Sequence, residues 1–264
     1  MINHLHERSL LKVFGPDSED FLQSQFSNDI KNIKEKHVQI NTYCQHQGKI
    51  IAIIWVFKKK DCFYLSFPSD LKEIILSKLN MFKLMSKVEI EDYSAKVKQF
   101  GLVEENRENA FKITEKLSLL ITIEQISNSN HDSEWEYACI NNKLPEVHVN
   151  YSESFIPQAL DLDLNLLGVS FTKGCYPGQE VVARMHYLGK PKRRLFSFQS
   201  SFKVTIGDDL NVDNSHSLKA SGKVIRVAKK DDTYYFLATF EVSHINDNIF
   251  LNNDKNIPVN IIHE

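Results

Sequence analysis

The sequence predicts an α+β fold that ends in a C-terminal antiparallel β-barrel. Over residues 1–190, apolar strand-like runs mix with segments of helical periodicity, without the regular βαβ spacing of a parallel sheet. Beyond the basic run 190–194, short strands alternate with turns, which is typical of a small barrel or sandwich. We therefore expect an α+β region at 1–190, built of two modules, and a β-barrel at 191–264.

The elements of the first region follow from hydrophobic periodicity. Residues 50–57 form a continuous apolar, β-branched run, which is typical of a buried central strand. Asp17 and Ser69 are predicted to cap two helices, and the second helix has five apolar residues on one face: Leu71, Ile74, Ile75, Leu79 and Phe82. The other predicted strands are 10–14, 38–44, 62–67, 88–93, 97–103 and 117–126.

The second half of the chain contains shorter elements. The polar segment 127–133 is predicted to be a loop, and 135–140 a short helix or strand. In the barrel region the predicted strands are 195–199, 224–228, 234–240 and 259–262.

Composition narrows the class of protein. The 264 residues are 42% hydrophobic and 25% charged, as in an ordinary globular protein, and the net charge of −2 argues against nucleic-acid binding by bulk electrostatics. The N-terminus has no apolar signal segment, and the longest apolar run, 50–57, is too short for a membrane helix. The four cysteines form no C-x-x-C pair, so we expect reduced thiols and a cytoplasmic protein without membrane contact.

One stretch concentrates unusual residues. Only nine glycines occur in the chain, and four of them fall between 168 and 189. The pattern predicts a loop followed by a helix, with Cys175 just before the helix start and Glu180 paired with Arg184 on one helix face. A thiol near a helix N-terminus and near Lys173 should ionise more easily than a free cysteine. The alternative is a structural cysteine buried in a tight turn.

The segment 173–180, Lys-Gly-Cys-Tyr-Pro-Gly-Gln-Glu, resembles the signature of the YgfZ family of folate-binding proteins, relatives of the glycine-cleavage aminomethyltransferase. The resemblance covers most of the chain and is strongest at 10–30, 43–57 and 156–194. It implies aminomethyltransferase-like α+β modules with tetrahydrofolate or a derivative in a central hole. The implied role is assembly or repair of iron–sulfur clusters in enzymes that include tRNA-modifying ones, with those enzymes or assembly factors as partners. Cys175 would be the reactive residue, supported by the rest of the motif: Lys173, Gly174, Tyr176, Gly178, Gln179, Glu180 and Arg184.

The resemblance also suggests folate contacts. Trp135 stands where family members often have an aromatic residue, and stacking of a folate ring on indole is physically sensible; core packing is the alternative. Asn141 replaces a glutamate that can accept a hydrogen bond from the pterin, and Gln158 belongs to an Ile-Pro-Gln segment similar to the family's. Arg8 replaces a second aromatic residue.

The resemblance further implies that one reaction is missing. Aminomethyltransferases have an essential aspartate in a strand that aligns with 48–53, and this segment contains no carboxylate. We therefore expect no aminomethyltransferase activity, although whether the protein is an enzyme stays open. A folate-dependent one-carbon transferase is the alternative.

The basic run 190–194 has two interpretations. It is a solvated linker, or it binds an anionic partner such as a folate polyglutamate tail or nucleic acid. An RNA-binding module is a third reading of the chain, but the near-neutral charge and the lack of an aromatic RNA-binding pattern argue against direct nucleic-acid binding. His186 lacks further ligands that could form a metal site with Cys175, so no metal is expected.

Overall fold

A computed structural model describes residues 1–105, 107–124, 126, 132–164, 168–213 and 219–262. These residues form two open sheets and a closed barrel, all antiparallel. Four helices of eight or more residues pack on the sheets: α1 (Ser18–Gln25), α2 (Lys72–Phe82), α3 (Asp132–Asn141) and α4 (Gln179–Leu188). The mixed architecture confirms the predicted α+β class. None of the described helices is long and apolar enough to span a bilayer.

The first region contains both open sheets. A five-stranded sheet has the spatial order β3-β4-β5-β2-β6, and a four-stranded sheet has the order β1-β7-β9-β8. The strands are β1 (Ile2–His4), β2 (Arg8–Phe14), β3 (Gln39–Cys44), β4 (Ile50–Lys59), β5 (Cys62–Pro68), β6 (Glu89–Asp92), β7 (Lys98–Val103), β8 (Ala110–Lys112) and β9 (Leu117–Thr122).

The predicted central strand is confirmed. The first eight residues of β4 are all buried, since β4 lies between β3 and β5 and has a core on each face. Trp55 and Phe57 pack in the core shared with α3 and the barrel, whereas Ile54 and Val56 pack in the core under α1 and α2. Because successive side chains of β4 point to opposite faces of the sheet, this one strand contributes to two hydrophobic cores.

The C-terminal residues form the predicted barrel. It is closed by six strands in the order β10-β13-β12-β11-β14-β15. The strands are β10 (Arg193–Ser200), β11 (Asp209–Val212), β12 (Gly222–Lys230), β13 (Thr233–Glu241), β14 (Ile249–Leu251) and β15 (Asp254–Ile261). The domain boundary at 190/191 stays a prediction, and α3 packs across it against β12 and β13.

Of the two alternatives predicted for 135–140, the structure has the helix. Other local predictions need correction, and the predicted strand 117–126 ends at Thr122. Residues 127–131 of the predicted loop 127–133 lie outside the described residues. Phe82 is half-exposed, whereas Leu71, Ile75 and Leu79 of its predicted face are buried, because α2 ends at Phe82 and an exposed 3-10 turn follows.

The two predicted caps also differ from the structure. The Asp17 carboxylate accepts from the backbone N–H of Lys87 instead of from α1. Ser69 starts a 3-10 turn, and Leu71 is the N-cap of α2. The helices therefore start close to the predicted residues, but without the predicted side-chain bonds.

Candidate functional site

The motif loop, defined as residues 171–178, is fixed at its start by a buried lysine. The Lys173 ammonium donates to three backbone carbonyls at the C-terminal end of α1, those of Gln23, Phe26 and Asn28. A helix leaves its last carbonyls without partners, so a cation is stabilised there. Burial lowers the pKa of Lys173 to about 8, against an opposing effect of Asp29. The ammonium group is therefore bound by α1 and does not face solvent.

The other end of the motif loop packs on the β3–β4 turn. Gly178 has φ of +81°, and a Cβ on it would lie 2.4 Å from the carbonyl oxygen of Gln45 and 2.7 Å from the Cα of Gly48. Gly178 therefore satisfies both a left-handed backbone and a close approach. A Cβ on Gly174 would meet no atom of the described residues within 4 Å, so their packing requires only the second of these motif glycines.

Helix α4, which follows the motif loop, is connected to the barrel by buried and half-buried polar contacts. The Gln158 amide donates to the carbonyl of Val182 at 2.8 Å. Arg194 donates to the carbonyl of Gln158 and forms ion pairs with Asp161 and Asp163, the closest at 2.6 Å. These contacts connect the first barrel strand to the helix that follows the motif loop.

Cys175 lies in the motif loop, not at the helix itself. Helix α4 begins at Gln179 with Gly178 as its N-cap, three residues after the cysteine. Phe171, at the start of the motif loop, contacts the C-terminal end of α4. Its ring stacks on the ring of His186, with the two centroids 3.8 Å apart. The thiol is thus exposed on a loop that is fixed at both ends.

The four cysteines differ sharply in access. Cys44 and Cys139 are buried, Cys62 is half-buried and Cys175 is exposed, and all four are free thiols. Burial raises the pKa of Cys44 to about 12 and also raises the pKa of Cys139. Since the thiolate is the reactive form, burial makes both of these residues inert.

The remaining motif residues have distinct places. The Tyr176 ring is buried 5.2 Å from the Lys173 ammonium, and burial raises the pKa of its hydroxyl. Gln179 donates weakly back to the Lys173 carbonyl at 3.5 Å. Glu180 and Arg184 are both exposed on α4 and form no ion pair with each other, so the predicted pairing is absent. Their side chains face solvent.

A separate central cavity of about 520 Å³ lies between the N-terminal strands, α3 and the barrel. It is lined by residues 3–8, Asp70, Trp135, Glu136, Glu146, His148, Asn150, Tyr151, Ile206 and 225–227. Its volume is in the range of small-molecule sites, roughly 300–1,000 Å³. No residue of the motif loop lines it, so the structure does not bring Cys175 and the central cavity together in one pocket.

A buried network of charges forms one wall of the central cavity. Glu146 accepts from Arg8 through one carboxylate oxygen and from Arg226 through the other, the latter at 3.0 Å. Arg226 also pairs with Glu136 at 2.9 Å, and the Arg8 guanidinium lies 3.7 Å from the ring centroid of Trp55. Burial acts to raise the pKa of Glu146, but Arg8 and Arg226 outweigh it and hold the pKa at about 2.

The same wall has two buried polar atoms, Asn3 Oδ1 and Arg8 Nη2, that have no hydrogen-bond partner among the residues the structure describes. Both residues are more than nine-tenths buried and line the central cavity. Leaving such atoms unpaired costs about 1–3 kcal/mol each. An acceptor and a donor are therefore available for a ligand in the central cavity.

The predicted folate residues are not brought together. Trp135 lines the central cavity but is 3% exposed, and its ring packs on Gly101, where a Cβ would lie 2.5 Å from it. Asn141 is exposed at the end of α3, and Gln158 is buried beneath α4; neither lines the central cavity.

Sequence reasoning missed the carboxylates and one of the arginines of the cavity. Glu136, Glu146 and Arg226 all line it, and Arg8 was noted only as a departure from an aromatic pattern. The charge network joins residues 138 and 80 positions apart, and no local pattern signals such pairing.

The basic run 190–194 is partly internal. Arg193 pairs with Glu241 at 3.0 Å, and Arg194 is bound bidentately by Asp163. Two of its four cations are therefore already neutralised within the chain. Among the described residues no group of three His, Cys, Asp or Glu side chains is arranged to hold a metal ion.

Comparison with solved structures defines the class. The glycine cleavage system aminomethyltransferase T of Bartonella henselae superposes over 100% of this chain and 84% of its own length, with a TM-score of 0.73 and 13% identity. The chain thus has the aminomethyltransferase T fold, with the barrel at its C-terminal end.

Sequence comparison defines the family. An uncharacterised protein of Haemophilus influenzae is 30% identical over 240 residues, covering 86% of this chain and 84% of its own. The tRNA-modifying protein YgfZ of Colwellia psychrerythraea is 26% identical over 271 residues, covering 86% of this chain and 81% of its own. No family profile matches. The chain belongs to the YgfZ family, as the motif at 173–180 predicts.

Proposed function

We propose that the protein is a cytoplasmic, folate-binding accessory protein that supports assembly or repair of iron–sulfur clusters in enzymes, including tRNA-modifying ones. The observation that supports this most strongly is the exposed Cys175 on a loop fixed at both ends. The curated YgfZ relatives are named tRNA-modifying proteins, which agrees with clients of this kind.

The loop architecture suits a thiol that meets a partner. Lys173 ties the loop to α1 and Gly178 ties it to the β3–β4 turn, so Cys175 has a defined position without being enclosed. The exposed Glu180 and Arg184 on the following helix offer charged groups of both signs to a docking surface. A preorganised, accessible thiol lowers the entropic cost of reaction or transfer at a partner's surface.

The lining of the central cavity supports the folate part of the proposal. Its two unpaired buried atoms, Asn3 Oδ1 and Arg8 Nη2, match a ligand ring that has both donors and acceptors. The carboxylates of Glu136 and Glu146 are further acceptors for the ring's amino group. Trp135 forms an apolar part of the cavity wall, and its main role there is packing. When bound, the folate would supply one-carbon chemistry or a signal of one-carbon status.

A one-carbon transferase of the aminomethyl type is disfavoured. Residues 48–53 contain no carboxylate, and Ile50–Ile53 are buried and apolar. A proton-transfer group must lie within hydrogen-bond reach of the reacting atom, and β4 offers none there.

Folate binding is tested by calorimetric titration with 5-formyltetrahydrofolate. Glu136→Gln should weaken binding about tenfold, since one charge-assisted hydrogen bond is lost. Glu134→Gln, two residues away and outside the cavity lining, is the matched control and should bind as wild type. Absence of binding at millimolar ligand would remove the folate part of the proposal.

The accessory role is tested in a host that lacks its own homologue. Expression of the wild-type chain should restore iron–sulfur-dependent tRNA thiolation, measured as the thiolated fraction of tRNA nucleosides. Failure of a well-expressed wild-type chain to restore it would contradict the proposed role.

A further inference from the structure

A second cavity of about 550 Å³ lies on the first region, away from both sites described above. It is bounded by β2, the β4–β5 hairpin, the segment after β6 and the end of β9. We call it the lysine–tyrosine cleft, defined by Lys12, Lys59, Lys60, Tyr64 and Tyr93. It shares no lining residue with the central cavity, and it contains none of the motif loop.

One side of the lysine–tyrosine cleft is aromatic. Tyr64 stacks on Phe57 with centroids 5.3 Å apart and nearly parallel rings, and Tyr93 meets Tyr64 edge-on at 5.9 Å. Tyr64 and Tyr93 are half-buried, so part of each ring is accessible. Packing of each ring on a neighbour fixes the wall, which is therefore preorganised for a flat apolar ligand.

The other side of the cleft is cationic. Lys12, Lys59 and Lys60 form no ion pair with any residue that the structure describes, whereas the adjacent Lys58 pairs with Glu19. No aspartate or glutamate is among the described residues that line the cleft. Three lysines without an ion pair to a described residue therefore line one concave surface, although the net charge of the chain is −2.

We propose that the lysine–tyrosine cleft is a binding site for a nucleoside monophosphate unit, with the base against Tyr64 and Tyr93 and the phosphate held by the lysines. Aromatic rings stack on any base, and lysine is an effective phosphate ligand. The cleft volume is in the range of small-ligand sites, roughly 300–1,000 Å³. A polar ligand without a ring could not stack on the aromatic side of the cleft, and an uncharged apolar ligand could not form ion pairs with the lysines.

The first experiment is calorimetric titration with UMP and AMP. Both nucleotides should bind, whereas uridine, adenosine and inorganic phosphate should each bind at least about tenfold more weakly, since each has only half of the recognised chemistry. Nucleotide binding should weaken as sodium chloride rises from about 50 to about 300 mM, because exposed charges are screened.

The chain offers a matched control pair. Lys12 lies 5.7 Å from the ring centroid of Tyr93, and Lys229, outside the cleft, lies 5.7 Å from that of Tyr234. Lys12→Gln and Tyr93→Ala should each weaken UMP binding about tenfold, whereas Lys229→Gln and Tyr234→Ala should not change it. The triple variant Lys12→Gln, Lys59→Gln, Lys60→Gln changes exposed or half-exposed lysines only, and it keeps the test valid if Tyr93→Ala fails to fold.

A second arm identifies the source of the nucleotide. Fluorescence anisotropy of a labelled single-stranded oligouridine reports binding to a strand, and UMP as competitor reports use of the same cleft. Binding of free UMP, with weak strand binding, indicates a free nucleotide as ligand. Strand binding that UMP displaces and that the triple lysine variant loses indicates an RNA source. No saturable binding of either probe up to about 5 mM, or binding unchanged in the triple variant, overturns the proposal.

Discussion

Substitution of Glu146 by glutamine tests the buried charge network most sharply. Glu146 is the acidic centre between the guanidinium groups of Arg8 and Arg226, and its side chain is 13% exposed. Glutamine keeps the size and one acceptor, but it removes the charge that compensates two buried cations. Glu136 still pairs with Arg226, so Arg8 is the cation left without an anionic partner.

The expected cost follows from the pKa. The Glu146 carboxyl has a pKa of about 2, against an ordinary value of 4.5. At about 1.4 kcal/mol per unit, the folded state favours the charged form by about 3 kcal/mol. Removal of one partner of a buried ion pair costs about 3–5 kcal/mol in general, which agrees. We therefore expect Glu146→Gln to lower the free energy of unfolding by about 3 kcal/mol.

Urea unfolding followed by circular dichroism measures this change. Glu108→Gln, an exposed position in the turn before β8, is the control and should change the free energy of unfolding by less than about 0.5 kcal/mol. Adding Arg8→Met to Glu146→Gln should cost less than the sum of the two single changes, because the uncompensated cation is gone. A Glu146→Gln effect below about 1 kcal/mol, or strict additivity, would refute the role of the network.

Three further predictions concern pH and the motif loop. The folded-state pKa of Glu146 is depressed, so the stabilisation of the folded state by its charge is present above pH 4.5 and is lost as the pH falls towards 2. Across that pH window, wild type should therefore lose more free energy of unfolding than Glu146→Gln. Equal losses in the two proteins would contradict this. Lys173→Met, with Lys173→Arg as control, should speed amide hydrogen exchange of residues 171–178 at least severalfold, because the loop loses its hydrogen bonds to the end of α1. An unchanged exchange rate would contradict the role of Lys173 in fixing the loop. Gly178→Ala should lower the free energy of unfolding by about 2 kcal/mol or more, because alanine is strained in the left-handed backbone conformation of this residue. Gly174→Ala should leave the free energy of unfolding nearly unchanged. Equal shifts of the melting temperature in the two variants would show that the close packing at Gly178 is not required.

Much of the fold could be predicted from local pattern. The apolar run 50–57 predicts the central strand β4, and the clustered glycines predict a loop and helix at 171–188. Four short strands were missed, β1, β8, β11 and β14, each of three or four residues. Such strands are too short for a period-two pattern and exist because neighbouring strands pair with them.

The candidate sites were predictable only in part. The motif predicts an exposed functional loop, but not that Lys173 would point into the end of α1, a contact 150 residues away in sequence. Folate contacts were assigned by sequence position, and the fold leaves Asn141 and Gln158 outside the central cavity. The basic run 190–194 suggested an anion site, but two of its four positive charges form ion pairs with acidic residues elsewhere in the fold.

The most direct test of the central claim is complementation with cysteine variants. Wild type, Cys175→Ser and Cys62→Ser are expressed at equal levels in a host without its own homologue, and thiolated tRNA nucleosides are quantified. We expect wild type and Cys62→Ser to restore thiolation and Cys175→Ser to fail, because Cys175 is the exposed thiol of the braced loop. Full rescue by Cys175→Ser would show that the thiol is not needed, and the function would then have to lie elsewhere, first of all in the central cavity.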